Sequence, residues 1–473
     1  MLLKLPLLLL FSGLLSKAIA QQRMITGRIP WDSSEFFDES HRWNFHVQNT
    51  EIVQGDPAFP AKYSGPNSLN SKGEVQETVT LDLYAGIRLW HGAEAHVDFL
   101  MWQGFGLSQT YGIEAFPNGD AYKAGTRDPN YTFAHLFIRQ TIGLGGQRED
   151  QPDDPLTLAG KQDLSRLTFT IGRMSPLDIC DGNTYAHDPH TQFLNWAMMG
   201  NLTWDYGQNT VGYTTGVSVE LNQPKWSLHY GFFQMPRDKN GFTGDDQYLM
   251  WPRRGAYGPF WRAWAMMAEF ERRYSVNAHP GTIRLLSWLD EANFASYKLA
   301  TAMLLANPPD LNDVGQGSGV TIPDSSRAFH HKYGLGLNWE QEVAKNVGLF
   351  SRLGWTPGNY DTWTFTDVDW TASLGLSVNG DAWHRPGDAW GLGYIVSGAS
   401  RDNQGFLKAG GTDMLDGDGN LNYSPERVIE TYYDFKIWKT IHAALDYQFD
   451  TNPAFNRDRG PVSIFGARLH WEL

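Results

Sequence analysis

The sequence predicts an all-β chain closed as a transmembrane antiparallel barrel of sixteen strands, with the third external loop folded into the lumen as a constriction. Short stretches alternate apolar and polar residues, the period of a strand with one face in lipid and the other in water. Their connections alternate between short and long, as barrels pair tight periplasmic turns with longer external loops. Aromatic residues reach 14% of the chain although mean hydropathy is negative, a mixture that suits aromatic girdles around a polar lumen better than apolar helices.

The chain begins with an address. Residues 1–20 carry an early cation (Lys4), an apolar run from Leu5 to Leu15 and the small-residue ending Ala18-Ile19-Ala20, the layout of a secretory signal peptide with cleavage expected between Ala20 and Gln21. The run is shorter than the ~20 residues of a spanning helix. A periplasmic segment is expected over 21–40 and the barrel over 41–473. The single cysteine, Cys180, excludes an intramolecular disulfide despite export. Net charge is −14, and losing Lys4 and Lys17 with the signal peptide takes it to −16, a balance that argues against a nucleic-acid partner.

The strands follow in order. Residues 42–54 place Trp43, Phe45 and Val47 on one side. Residues 78–90 alternate almost without interruption, with Val79, Leu81, Leu83, Ala85, Ile87 and Leu89 toward lipid and Thr80, Asp82, Tyr84 and Arg88 inward. After a tight turn at His91-Gly92, residues 93–103 point Glu94, His96 and Asp98 inward, and residues 131–142 do the same with His135 and Arg139. Residues 166–174 and 210–220 are the fifth and sixth strands. Ten more windows are expected at 226–235, 260–275, 282–292, 331–340, 347–357, 365–378, 390–397, 427–438, 441–450 and 461–473. A short helix is expected over 296–306. In the last strand Ser463, Phe465, Ala467, Leu469, Trp471 and Leu473 form the lipid face, and an even strand count leaves both termini periplasmic.

Between the fifth and sixth strands, residues 175–208 form a long polar segment studded with aromatic residues. Loops of this length are uncommon unless they carry function. This one holds Asp178, Asp181, Asp188, His187, His190 and Trp196 and reads as a loop that returns to plug the barrel.

Several long motifs resemble the OprB-type carbohydrate-selective porins of Gram-negative outer membranes. They are QGFGLS (103–108), FPNGDAYKAG (116–125), IRQTIGLGG (138–146), NTYAHDPHTQFLNWAMMGNLTWDY (183–206), LNYSPERVIETYY (421–433) and RGPVSIFGARLHWEL (459–473). The resemblance implies facilitated diffusion of glucose and related small neutral sugars through a barrel embedded in outer-membrane lipid, with the 175–208 segment as the constriction loop. It leaves a homotrimer and a monomer both open. The chain departs from the family pattern at Leu100, where relatives commonly carry glutamate, at His135 and His190, where they carry arginine, and at Cys180 and Leu473, where apolar and aromatic residues are usual.

A sugar path needs planar donors and acceptors for hydroxyls and aromatic faces for the ring, in contacts weak enough to release the solute. Arg88, Arg139 and Arg166 on the wall, with Asp98 and His135, opposite Asp178, Asp181, Asp188 and Trp196 on the loop, are the residues expected to supply it. No metal and no cofactor are expected. His187 and His190 are three apart around a proline, and Asp416, Asp418 and Asn420 have calcium-loop spacing but are followed by Leu421 in place of the required glycine and Arg427 in place of the bidentate glutamate. The alternatives are a general or other-solute porin and, in a different class, an exported all-β carbohydrate-active enzyme. No Gly-x-Ser-x-Gly elbow is present, and loop asymmetry has no catalytic explanation, so an enzyme is not expected.

Overall fold

The computed structural model of the protein describes residues 42–65, 67–123, 125–237, 239, 261–307 and 322–473. The expected signal peptide and the segment 21–40 lie outside the described residues.

The first strands are β1 (Trp43–Asp56), β2 (Glu74–Trp90), β3 (Ala93–Gly104) and β4 (Thr126–Gly143). A separate hairpin follows, β5 (Arg148–Gln151) and β6 (Gly160–Asp163). Next come β7 (Arg166–Met174), β8 (Thr214–Gln223), β9 (Trp226–Gln234), β10 (Trp264–Val276), β11 (His279–Ala292) and β12 (His330–Ala344). The last six are β13 (Val347–Trp355), β14 (Trp370–Asn379), β15 (Ala389–Gly398), β16 (Glu426–Trp438), β17 (Ile441–Thr451) and β18 (Val462–Glu472). Without the hairpin, sixteen strands form one closed antiparallel barrel in which β18 returns to pair with β1. Closure leaves no open edge, and in hydrocarbon an unpaired backbone amide costs several kcal/mol.

Side-chain alternation sets the two faces. On β2, Thr78, Thr80, Asp82, Tyr84 and Gly86 are buried, whereas Ile87 and Leu89 are exposed on the outside. On β18, Val462, Ile464, Gly466, Arg468 and His470 are buried while Phe465 and Leu469 face out. Exposed Trp43, Trp90 and Trp438 ring the short-turn end, and Tyr131, Tyr333 and Trp355 the long-loop end, the positions where amphipathic rings meet lipid headgroups.

Strand bounds shift by a few residues in several places, as at β2 and β4, and three departures from the sequence reading have an identifiable cause. The sixth strand starts at Thr214 rather than 210, because the Asn209 side chain accepts the amides of Val211 and Tyr213 at 3.1 Å each and holds them in a turn. The twelfth expected strand, β14, starts at Trp370 rather than 365: the amides of Trp363, Thr364 and Phe365 all donate to the Asp205 carboxylate instead of to a ladder. The hairpin of β5 and β6 was not anticipated, since REDQ and GKQD carry no apolar alternation. The expected helix is present as α2 (Tyr297–Ala306), capped by the Ser296 hydroxyl; α1 (Trp196–Met199) precedes it and α3 (Arg401–Lys408) follows.

The hydrophobic core is not under the strands alone. It forms where the long loops meet, with Phe116, Phe193, Trp196, Trp204, Phe294, Trp363, Phe365 and Phe406 packed against inward strand residues such as Phe137, Phe233, Trp288, Phe350 and Tyr432.

Candidate functional site

Residues 175–213 leave β7 through a tight turn. The Ser175 hydroxyl accepts the Leu177 amide, and the Asp178 carboxylate accepts the Ser175 amide at 2.8 Å, a capping box that fixes Asp178 before it touches anything else. The same Asp178 Oδ2 lies 2.9 Å from His135 Nε2, and His135 Nδ1 lies 2.9 Å from Asp98 Oδ2. His135 reaches this position because the ladder between β3 and β4 slips: Asp98 pairs with His135 but Phe99 pairs with Phe133, which leaves Ala134 as an extra residue. A bulge of this kind re-aims a side chain. Tyr213 packs edge-on against the imidazole at 5.0 Å.

Farther along, the segment is bound to the opposite wall. Arg352 on β13, 1% exposed, donates from Nε to Asp181 Oδ1 at 3.2 Å, from Nη2 to the Asp181 carbonyl at 3.0 Å and from Nη1 to the Met198 carbonyl at 2.7 Å. Asp181 also accepts from Asn338 at 2.7 Å and from the Asn201 amide at 2.7 Å. Arg468 on β18 donates to the carbonyls of Pro189 and Gln192, both at 2.7 Å. Glu430 on β16 accepts the Leu194 amide at 2.6 Å and the Asn195 amide at 3.2 Å. The buried Asp205 carboxylate joins the segment to residues 356–369, and Lys332 reaches it at 3.1 Å. Burial pushes the Asp205 carboxyl up, but Lys332 and the backbone amides outweigh it and hold it below the usual range.

Between these anchors lies a second imidazole flanked by carboxylates. His190 Nδ1 lies 2.8 Å from Asp188 Oδ1 and Nε2 lies 3.3 Å from Asp120 Oδ1, and the ring stacks on His470 at 5.8 Å. Burial pushes the His190 imidazole down, yet Asp188 and Asp120 raise it well above the ordinary histidine range. Asp188 is likewise raised by burial but held well below the carboxylate range by His190 and by the Thr191 hydroxyl. A raised pKa gives stabilisation that is complete below the unfolded value and is lost as pH rises through the folded one. The lowered Asp188 loses its share only in strong acid. The pair therefore survives from mildly acidic through neutral pH and breaks in alkaline solution. Single-channel current should become noisier on alkaline titration above neutrality, and His190→Gln should remove that dependence; noise independent of pH in the wild type would contradict this reading.

The structure separates two sets that the sequence placed face to face. The three wall arginines bond to the segment 144–165 at the short-turn end. Arg88 donates to the Ala159 carbonyl at 3.1 Å, Arg139 to the Leu156 carbonyl at 2.8 Å, and Arg166 pairs with Glu149 at 2.7 Å. Asp178, Asp181 and Asp188 take His135, Arg352 and His190 instead. The expected Arg–Asp opposition is thus replaced, because a polar connection too irregular to read as structure folds back under the arginines. Trp196 also differs from expectation. It is 4% exposed, stacked on Phe365 at 5.5 Å and tilted against Phe116 at 5.3 Å, with its amide on the Phe116 carbonyl at 2.9 Å, so its ring anchors the loop and offers no open face to a solute. Arg352, Arg468, Glu430 and Asp205 were missed; their signal was present only as single inward charges in apolar strands or in the motif's closing WDY. Leu100 is buried with Trp102, Ala134 and Val211, beside Tyr122 and Tyr213.

A family profile described as carbohydrate-selective porin, OprB family, matches residues 66–473. Among solved structures the chain is similar to Pseudomonas putida OprB at high pH, with TM-score 0.67 and 17% identity over 92% of this chain and 95% of that one. The low-pH structure of Pseudomonas putida OprB gives 0.46 and 13% over 92% and 93%, and a Salmonella typhi OmpF complex with daunomycin gives 0.45 and 10% over 92% and 99%. At these identities the likeness concerns the fold. No curated protein matches the chain.

Proposed function

The chain belongs to the OprB family of carbohydrate-selective porins, outer-membrane channels rather than enzymes, and on that premise we propose that it passes small neutral sugars of monosaccharide size, glucose among them, by passive, saturable diffusion through a constriction where residues 175–213 face β2, β3 and β4. The supporting observation is the pair of carboxylate–imidazole–carboxylate links, Asp98–His135–Asp178 and Asp188–His190–Asp120, set near Tyr84, Tyr122 and Tyr213. Charges of both signs fixed at one narrowing suit a hydroxyl-rich dipolar solute, whereas a bare ion meets a repulsive partner on either side. The partly exposed rings of Tyr122 and Tyr213 offer flat surfaces to the sugar's CH groups while their hydroxyls exchange for lost water; Tyr84 is buried, its hydroxyl held by Gln48 at 2.9 Å.

In this reading Asp181 and Trp196 hold the loop in place, and Arg88, Arg139 and Arg166 line the periplasmic mouth through which the sugar leaves. The solute gradient supplies the driving force, so neither a cofactor nor an energy source is required. Each barrel carries its own constriction, and a monomer and a homotrimer serve equally well. The test is sugar-induced block of ion current in a planar bilayer. His135→Ala and Asp178→Ala should each weaken the block by about tenfold, the scale of one charge-assisted hydrogen bond, while the folded barrel persists. Block unchanged in both variants would remove this cluster from the sugar path.

A further inference from the structure

Three external loops bring a carboxylate each to one buried point. Glu114 comes from the loop between β3 and β4, Asp367 from the loop between β13 and β14, and Asp416 from the loop between β15 and β16. Their exposures are 0%, 1% and 0%, and one oxygen of each lies within 4.8 Å of the others.

The backbone fixes how these groups are turned. Glu114 Oε2 accepts the Asp367 amide at 2.8 Å, and Asp367 Oδ2 accepts the Leu415 amide at 2.7 Å. Four oxygens remain without a hydrogen-bond partner among the described residues: Glu114 Oε1, Asp367 Oδ1 and both oxygens of Asp416. Buried carboxylate oxygens left this way are costly, because burying an ionised carboxylate requires a counter-charge or a proton. The two nearby lysines bond to other groups. Lys123 donates to the carbonyls of Thr364 and Phe365, and Lys239 bridges Asp361 and Asp413.

We propose that Glu114, Asp367 and Asp416 bind a calcium ion that ties these three loops together above the pore. An all-oxygen donor set with no nitrogen or sulfur selects a hard cation. Calcium takes several carboxylates at once with flexible geometry, whereas magnesium keeps much of its water shell, which a cluster this buried does not accommodate. The site is distinct from the loop motif at Asp416, Asp418 and Asn420. Asp418 turns away to Tyr63, Asn456 and Arg459, and only Asp416 joins the cluster. Burial first, and mutual repulsion second, push the carboxyls of Glu114 and Asp416 well above their ordinary range, so protons are the competing occupant.

The ion's hold reaches the constriction. Glu114 sits two residues before Phe116, whose carbonyl accepts the Trp196 amide, and Ala115 accepts from the Asn195 side chain at 2.8 Å. Calcium would thus set the rigidity of the loop that narrows the pore. This holds whichever solute passes.

The experiment uses the full folded chain in detergent. Elemental analysis after dialysis against calcium chloride should find one bound calcium per chain, and thermal unfolding should occur at higher temperature in calcium chloride than in EDTA, with magnesium chloride giving a smaller rise. Asp416→Asn and Glu114→Gln should weaken calcium binding by on the order of tenfold or more and abolish the thermal shift. Gel migration without heating verifies that each variant is folded. If both variants fail to fold, the wild-type metal content and thermal shift decide the matter. No stoichiometric calcium in the wild type, a shift that persists in both folded variants, or stabilisation by acid but not by calcium would overturn the proposal.

Discussion

Arg352→Ala is expected to yield a folded barrel with a lower unfolding temperature and a larger, noisier conductance. The guanidinium is buried and makes three hydrogen bonds to the segment 175–213, two to Asp181 and one to the Met198 carbonyl. Removing one partner of a buried ion pair costs roughly 3–5 kcal/mol, because the remaining charge stays desolvated. Asp181 keeps Asn338 and the Asn201 amide, so the segment loosens at this anchor while those on Arg468 and Glu430 still hold it. The strands keep every backbone pair, which is why the barrel survives. Arg352→Lys should rescue only part of the loss, since an ammonium cannot reproduce the planar fork that reaches two carbonyls and a carboxylate. Thermal unfolding followed by gel migration, together with single-channel recording, checks this. A variant with wild-type conductance and stability would show that the anchor carries nothing.

Leu83→Arg is expected to block assembly, and Tyr84→Arg is not. The two positions are adjacent in sequence and lie on opposite faces of β2, Leu83 toward lipid and the buried Tyr84 inward. A charge on the lipid face near the bilayer midplane costs roughly 2–4 kcal/mol. The same charge at position 84 meets Asp82 and Gln48, polar neighbours that tolerate it even though the hydrogen bond to Gln48 is lost. Yield of folded barrel after refolding into lipid vesicles separates the two, and equal yields would count against the register.

The strands were legible because each has one lipid face, and period-two alternation is a local property that a single sequence displays. Residues 78–90 and 462–472 are the clearest cases. Strand starts were misjudged where a side chain captures the backbone: Asp205 does so for residues 363–365 from 158 positions away, which no local pattern announces, and Asn209 does so for Val211 and Tyr213 through a local turn. The segment 175–208 stood out by its length and composition, but its bonding partners did not. Which lumen charge faces which loop charge depends on how the connection at 144–165 folds back under Arg88, Arg139 and Arg166, and on a one-residue bulge that turns His135 toward Asp178. Trp196 illustrates the remaining ambiguity: an aromatic residue in a polar loop reads equally as a solute platform and as an anchor, and here Phe116 and Phe365 enclose it. The carboxylates of Glu114, Asp367 and Asp416 are some 50 to 300 positions apart in sequence and meet only through the loops.

Solute uptake by liposomes tests the central claim most directly. Vesicles carrying the wild-type protein should take up glucose markedly faster than empty vesicles and faster than they take up amino acids of similar size, with a rate that saturates as glucose is raised. Glucose uptake no faster than in empty vesicles, or amino acids passing equally well, would contradict the account and leave a general diffusion pore in its place.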